Sequence, residues 1–259
     1  MMTAALVLAL STASVSDLDE AHRLFYNGRY DAADALTLAL CTGDLEGLAA
    51  CELRSSTLLF QIKRVIGGQR DKDKALKPCS RCAEWIAAFK AVTLSAQRVA
   101  RARLQAAPED SDTRFLLGKI DLNYVWLQLG VLGHKTGWSE YWEARKSLDA
   151  VLKQDPDNIR ARVARAWVDY IVDTQMARGT KWVLGGGNKK RGLAAVRDAV
   201  ELDADPFVRA EAGFALWDMQ VREGETALAV DTARALARDF PENEELQKFL
   251  AAHERNVSH

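Results

Sequence analysis

The chain has 259 residues and a formal net charge of −1, from 35 Lys and Arg against 36 Asp and Glu. Charges this closely balanced argue against a dedicated nucleic-acid-binding protein, which would carry a basic excess on one face. The length is sufficient for one large domain or two small ones with a buried core. Only five prolines, abundant helix-forming residues and no sustained apolar–polar alternation predict an all-α fold.

The N-terminus has the outline of a secretory signal peptide. An apolar run from Ala4 to Leu10 precedes the small residues Ser11-Thr12-Ala13, which fit a cleavage site. No Lys or Arg precedes this run, so a hydrophobic first helix is the alternative. We expect a signal peptide over 1–16, a helical domain over 17–254 and a disordered tail over 255–259.

These features predict a location for the protein. A cleaved signal would place it in the periplasm or outside the cell, whereas a hydrophobic first helix would leave it in the cytoplasm. No stretch reaches 18 uninterrupted apolar residues, which predicts no transmembrane span.

Four cysteines lie in the first third of the chain: Cys41, Cys51, Cys79 and Cys82. In an exported protein an even number favours two disulfides. Cys41 and Cys51 would join the end of one helix to the start of the next, whereas Cys79 and Cys82 could pair with each other or cross-pair. A zinc site and a redox-active C-x-x-C are the alternatives, although neither a second C-x-x-C nor a preceding strand is present.

A repeated pattern runs through the rest of the chain. Four alanines are each followed twelve residues later by a proline in an acidic turn. The pairs are Ala96 and Pro108, Ala144 and Pro156, Ala194 and Pro206, and Ala229 and Pro241. We expect each alanine to allow close approach of a neighbouring helix, and each proline to end one helix and open the next.

The segments around this pattern resemble the tetratricopeptide repeat family over about residues 18–250. Leu117-Gly118 matches the Leu-Gly pair of the family's first helix, and 28–33 (GRYDAA) and 224–229 (GETALA) are similar to its turn and second-helix start. Asp121 stands where the family often has Tyr, and Leu148 replaces the usual Phe. The resemblance implies a right-handed α-solenoid of about five helix pairs, and it extends to the exported bacterial members of the family.

The repeats depart from the family's usual length of about 34 residues. Successive prolines of the pattern are 48, 50 and 35 residues apart. The longer units carry insertions between their two helices, at 67–78, 130–137 and 177–188. Because equivalent loops of stacked pairs lie along one edge, we expect these insertions to form a shared mouth.

The third insertion ends in the glycine run of TKWVLGGGNKKRGLAAV, residues 180–196. It lacks both the Gly-Lys-Ser/Thr of a Walker loop and the strand that a dinucleotide-binding loop requires. One interpretation is a tight turn with Asn188 capping a helix that begins at Lys189. The other is a site for an anionic partner, because Lys189, Lys190 and Arg191 are unfavourable in a helix's first turn unless an anion accompanies them.

The resemblance also implies where a ligand would bind, because the family's first helices line the concave face. Phe115, Lys119, Asn123 and Trp126 share one such face by register, and Arg160, Trp167 and Tyr170 share the next. An aromatic groove edged by polar side chains suits an extended peptide or an apolar ligand. The alternative is that the tryptophans only fill space between helices. The candidate binding residues are Phe115, Lys119, Asn123, Trp126, Arg160, Trp167, Tyr170, Trp182, Asn188, Lys189 and Lys190.

Catalytic patterns are lacking in the sequence. The four histidines are not spaced as metal ligands, and no G-x-S-x-G is present. We therefore expect no enzyme, no cofactor and no metal. The predicted function is a scaffold for a protein or peptide partner, and the alternative is a carrier of a small apolar or amphipathic ligand.

Overall fold

The computed structural model describes residues 15–67, 69, 71–175, 181 and 183–254, and within them it contains twelve α-helices and no strand. The all-α prediction is therefore confirmed. Residues 1–14 of the predicted signal peptide, Trp182 and the predicted tail lie outside the described residues. The helices are α1 (Val15–Tyr26), α2 (Tyr30–Leu40), α3 (Leu45–Ile66), α4 (Lys72–Leu76), α5 (Cys82–Ala106), α6 (Ser111–Val125), α7 (Trp138–Gln154), α8 (Ile159–Gln175), α9 (Lys189–Val200), α10 (Pro206–Glu223), α11 (Thr226–Asp239) and α12 (Glu244–Glu254).

Helices that follow one another in the chain pack side by side. Five successive pairs are in contact, namely α1 with α2, α3 with α5, α6 with α7, α8 with α9 and α10 with α11, and α12 packs on α11. The first helices of neighbouring pairs also touch, because α3 contacts α6 and α8 contacts α10. Side chains of α3, α6, α8 and α10 can therefore meet on a common face.

The prolines of the repeated pattern all lie at helix boundaries. Pro206 is the first residue of α10, with Asp205 accepting a hydrogen bond from the Phe207 amide at 2.8 Å. Pro108, Pro156 and Pro241 lie in the turns before α6, α8 and α12. Since proline lacks an amide hydrogen, it is tolerated there but not inside a helix.

The alanines of the pattern behave as predicted with one exception. Ala96, Ala144 and Ala229 are buried, but Ala194 is exposed on α9. Close packing of α9 on α8 depends on Gly192 instead, because a Cβ atom at this position would lie 2.7 Å from the Ala166 carbonyl oxygen. The prediction for Ala194 was wrong because the buried face of α9 lies on neighbouring residues of the helix.

The two later insertions have different surroundings in the fold. The first part of the second insertion continues α6 as a π-helical segment, Trp126–Val131. The hydroxyl of Tyr141 in α7 donates to the Leu184 carbonyl at 2.7 Å, and Arg145 donates to the carbonyls of Leu184 and Gly185 at 2.7 and 2.8 Å. The start of α7 therefore holds the glycine loop of the third insertion.

The cysteines form two pairs at disulfide-bonding distance, Cys41 with Cys51 and Cys79 with Cys82. Their Cα atoms are 4.7 and 5.5 Å apart. The structure thus selects self-pairing of the C-x-x-C motif over cross-pairing. Disulfides of this kind indicate an oxidising compartment.

Candidate functional site

Four charged side chains from four helices meet on the common face. Glu211 of α10 accepts hydrogen bonds from Lys119 Nζ at 2.6 Å and from Arg160 Nε at 2.7 Å, and Arg160 Nη2 also lies 3.3 Å from Glu52 Oε2. The exposed fractions of these side chains range from 5% for Glu52 to 27% for Arg160. We call the surface defined by Glu52, Lys119, Arg160 and Glu211 the ion-pair face.

These charges stabilise one another in ionised form. Burial opposes ionisation of Glu211, but the positive charges of Lys119 and Arg160 outweigh it and lower its pKa to about 2. Burial likewise opposes the charge on Lys119, yet Glu211 and Glu52 raise its pKa. Because Lys119 and Arg160 are paired with carboxylates of the chain itself, a ligand would have to compete with those carboxylates for them.

Phe115 and Asn123, two further predicted residues, also lie at this face. The guanidinium of Arg160 lies over the Phe115 ring, 4.6 Å from its centroid. The Asn123 amide donates to Ser55 Oγ at 2.8 Å and to Ser56 Oγ at 2.9 Å, which links α6 to α3. Phe115 and Asn123 therefore lie at the same surface as Arg160, and the Asn123 amide serves to hold α6 against α3.

The aromatic residues of the same face lie one to two turns further along α6 and α8. Trp126 and Trp167 are half-buried, and their rings meet edge to face with centroids 6.1 Å apart. Arg222 at the end of α10 places its guanidinium 5.8 Å from the Trp167 ring centroid. We call Trp126, Trp167 and Arg222 the tryptophan site. Trp126 also packs against the N-terminal core and Trp167 against the core around Tyr170, and both residues retain some solvent-accessible surface.

Tyr170, by contrast, is only 2% exposed and belongs to the core between α8, α9 and α10. Its ring contacts Trp167 edge to face at 5.7 Å, and its hydroxyl donates to Glu223 Oε1 at 2.9 Å. Tyr170 therefore packs against Trp167 of the tryptophan site from within the core, and it offers little surface to a ligand.

Helix α1 covers the opposite end of the common face. His22 stacks on Phe207 with ring centroids 5.3 Å apart, and Tyr26 stacks on Phe214 at 5.3 Å. Burial and the positive charge of Arg160 lower the pKa of His22. The chain's own N-terminal helix therefore occupies the region next to the ion-pair face, and the tryptophan site is the part that it leaves accessible.

The glycine loop has a structural explanation. Gly185 and Gly186 have φ angles of +75° and +74°, which other residues rarely adopt. A Cβ atom at Gly187 would lie 2.7 Å from the Asp169 carbonyl oxygen and from the Asp173 amide nitrogen. Asn188 then caps α9 by accepting from the Arg191 amide at 2.9 Å. The interpretation as a turn followed by a capped helix is the one that the structure confirms.

Carboxylates of the chain itself take the positions predicted for an anionic ligand at this loop. Asp173 Oδ2 accepts from the Lys189 amide at 2.9 Å, at the N-terminus of α9. Glu223 Oε2 accepts from Lys189 Nζ at 2.7 Å, and Asp169 Oδ2 accepts from Arg191 Nη2 at 2.7 Å. Lys190 is exposed. Lys189 and Arg191 in the first turn of α9 are therefore neutralised by carboxylates of the chain itself.

Sequence reasoning missed the acidic partners Glu52 and Glu211. Glu52 stands between Cys51 and Leu53 in LAACELRSS of α3, and Glu211 stands between two alanines in FVRAEAGFA of α10; a single carboxylate between apolar neighbours was a usable signal. It also missed that Trp138 and Trp142 of α7 are exposed, at 41% and 44%. These two tryptophans are four residues apart and lie on one side of α7.

Comparison with known proteins assigns the chain to no family. No family model matches the chain, and no curated protein or solved structure is similar enough to match it. In the part of the chain that the structure describes, no helix has the length and apolarity to cross a bilayer, and no three His, Cys, Asp or Glu side chains are grouped as metal ligands.

Proposed function

We propose that the chain is a non-enzymatic scaffold, a right-handed solenoid of the tetratricopeptide type, that binds a protein or peptide partner at the tryptophan site. The sequential packing of helix pairs supports this architecture. So does the close contact of Gly118 with α7, where an added Cβ would lie 3.3 Å from Leu148 Cγ and 3.4 Å from the Ala144 carbonyl oxygen.

The observation that carries the binding role is the pair of partly exposed indoles on neighbouring helices. Trp126 and Trp167 are in edge-to-face contact, and Arg222 lies beside Trp167 while its guanidinium also pairs with Asp218 at 3.2 Å. Tryptophan and arginine are enriched among residues that dominate binding energy at protein interfaces. A partner segment with an aromatic or aliphatic side chain and a nearby carboxylate fits this combination.

The proposed location is the periplasm or another exported compartment. Two cysteine pairs at disulfide distance favour an oxidising environment, and the apolar run near the N-terminus suits a secretory signal.

Selection of peptides from a displayed random library on the immobilised full chain tests the binding role. Calorimetry would then compare the selected peptides on the wild type, Trp167→Ala and the matched control Trp142→Ala, whose indole is exposed on α7. We expect Trp167→Ala to weaken binding about tenfold or more, corresponding to a loss of at least about 1.4 kcal/mol, with little effect of Trp142→Ala. Equal affinity of all three proteins would show that the selected peptides do not bind at the tryptophan site.

The carrier alternative predicts a different result. Native mass spectrometry of the purified chain would show a small-molecule adduct that disappears on denaturation and is reduced by Trp167→Ala. An apo mass together with peptide binding supports the scaffold.

A further inference from the structure

The C-x-x-C disulfide differs from the other one in what it connects. Cys41 is the C-cap of α2 and Cys51 lies in α3, 4% exposed and within the main core, so their bond joins two helices. Cys79 and Cys82 lie three positions apart and their bond closes a ring inside a single turn. A ring this small restricts the unfolded chain less than the Cys41–Cys51 ring does, so it contributes less to stability.

The two sulfurs of the C-x-x-C pair are unequally placed. Cys82 is 2% exposed, whereas Cys79 is half-buried in the turn between α4 and α5, next to the exposed Ser80 and Arg81. Neither cysteine belongs to a core cluster of the described residues. A thiol that approaches from solvent therefore reaches Cys79 first.

The position of Cys82 favours its departure as a thiolate. It is the first residue of α5, a helix of 25 residues whose first turn also contains Glu84, and the N-cap residue Arg81 makes no side-chain cap hydrogen bond within the described residues. Unpaired amides and the helix dipole at such an end stabilise a nearby negative charge, and a more stable leaving thiolate accelerates disulfide exchange.

We propose that the Cys79–Cys82 disulfide is a thiol–disulfide exchange site, distinct from the partner-binding role, whose substrate is an external dithiol or pair of thiols. The external thiolate attacks Cys79 Sγ, the bond to Cys82 Sγ breaks, and Cys82 leaves with the electron pair as a thiolate. A second external thiol then attacks the mixed disulfide and releases Cys79. The external pair is oxidised to a disulfide by two electrons, and Cys79 and Cys82 are reduced to thiols after taking up two protons.

Differential reduction of the full chain tests the proposal. The oxidised protein is incubated with reduced glutathione or with a reduced C-x-x-C peptide, alkylated at intervals and mapped by peptide mass spectrometry. We expect Cys79 and Cys82 to be alkylated about tenfold faster than Cys41 and Cys51, while the helical circular dichroism is retained. Equal rates for the two pairs, or faster reduction of Cys41–Cys51, would overturn the proposal. Faster reduction by glutathione would identify the substrate as a small thiol. Faster reduction by the C-x-x-C peptide would identify it as a dithiol protein.

A trapping experiment tests the site of attack. Cys82→Ser leaves a thiol at Cys79, and the matched Cys79→Ser leaves one at Cys82. With oxidised glutathione we expect the mixed disulfide to form about tenfold faster in Cys82→Ser. Comparable rates in the two variants would contradict attack at the exposed sulfur, and the wild-type reduction rates remain decisive even where a variant fails to fold.

Discussion

At the scale of single residues, the chain places several ionisable groups away from water and satisfies most of them internally. Glu211 receives hydrogen bonds from both Lys119 and Arg160, and this explains why a carboxylate can lie among apolar helices. Asp121 is different, because its Oδ2 atom is buried and has no hydrogen-bond partner among the residues that the structure describes. The two sites therefore respond to pH in opposite directions.

We predict that Glu211→Gln lowers the free energy of unfolding by about 3 kcal/mol at neutral pH, because Lys119 and Arg160 lose a buried counter-charge. The folded pKa of Glu211 lies near 2, below its usual 4.5, so its contribution is present above pH 4.5 and is lost as pH falls toward 2. The difference between the proteins should therefore shrink at pH 3 in urea unfolding. Glu242→Gln is the control, since Glu242 pairs with Arg29 at 50% exposure and should change little.

We predict that Asp121→Asn stabilises the protein at pH 8 by about 1–3 kcal/mol. Burial and the charge of Glu143 raise the pKa of Asp121 to about 8, so the unfolded chain loses this proton at a lower pH than the folded one. Stability from this group therefore falls as pH rises from about 4 to about 8. Asparagine can still accept from Gln97, which donates to Asp121 Oδ1 at 2.7 Å. In thermal unfolding from pH 5 to 9, the stability of Asp121→Asn should depend less on pH than that of the wild type. A loss of stability that is equal at every pH would contradict the raised pKa of Asp121.

At the scale of helices and loops, capping residues and prolines close in sequence account for many of the points at which helices begin. Asp44, Asp110, Asn188 and Asp205 each accept a hydrogen bond from the first turn of the helix that follows. Such caps and the helix-opening prolines act over three or four residues, so the sequence alone reveals them. The exposed Ala194 shows the limit, because the buried face of a helix depends on its neighbour.

The glycine loop gives a prediction at this scale. Gly187→Ala should destabilise the protein by about 1–3 kcal/mol, because the added methyl group meets the backbone of α8 and cannot be relieved by a side-chain rotation. Gly43→Ala is the matched control, since its added Cβ meets no atom within 4 Å. Chemical denaturation of both variants checks the difference. Equal stabilities would show that the loop can move away from α8 at no cost.

At the scale of the whole molecule, the C-terminal end of α1 is connected to the turn between α11 and α12. The Asn243 side chain donates to the Tyr26 carbonyl at 2.6 Å, and the Asn27 side chain accepts from the Glu242 amide at 3.0 Å. Tyr26 also stacks beside Phe240, with ring centroids 5.3 Å apart. Contacts between chain ends couple units that would be independent in an open repeat array.

This coupling predicts a long-range effect of Tyr26→Ala. We expect faster hydrogen exchange in α11 and α12, more than 200 residues away in sequence, because Phe240 and Asn243 lose their support. Hydrogen exchange with mass spectrometry measures this directly. Phe89→Ala is the control, since Phe89 is fully buried in the N-terminal core and should loosen α3 and α5 first. Unchanged exchange in α12 of Tyr26→Ala would indicate that the ends are energetically independent.

The sequence by itself determined the all-α class, the turns at the prolines, and the helical register that places Phe115, Lys119, Asn123 and Trp126 on one face of α6 and Arg160 and Trp167 on one face of α8. All of these depend on local chemistry or helical periodicity. Only the tertiary structure decided that these two faces meet, that Glu52 and Glu211 neutralise the surface they form, that α1 covers one end of it, that Asn188 caps α9, and which cysteines pair. Arg160 meets Glu52 across 108 residues of sequence, and no local pattern specifies a contact at that separation.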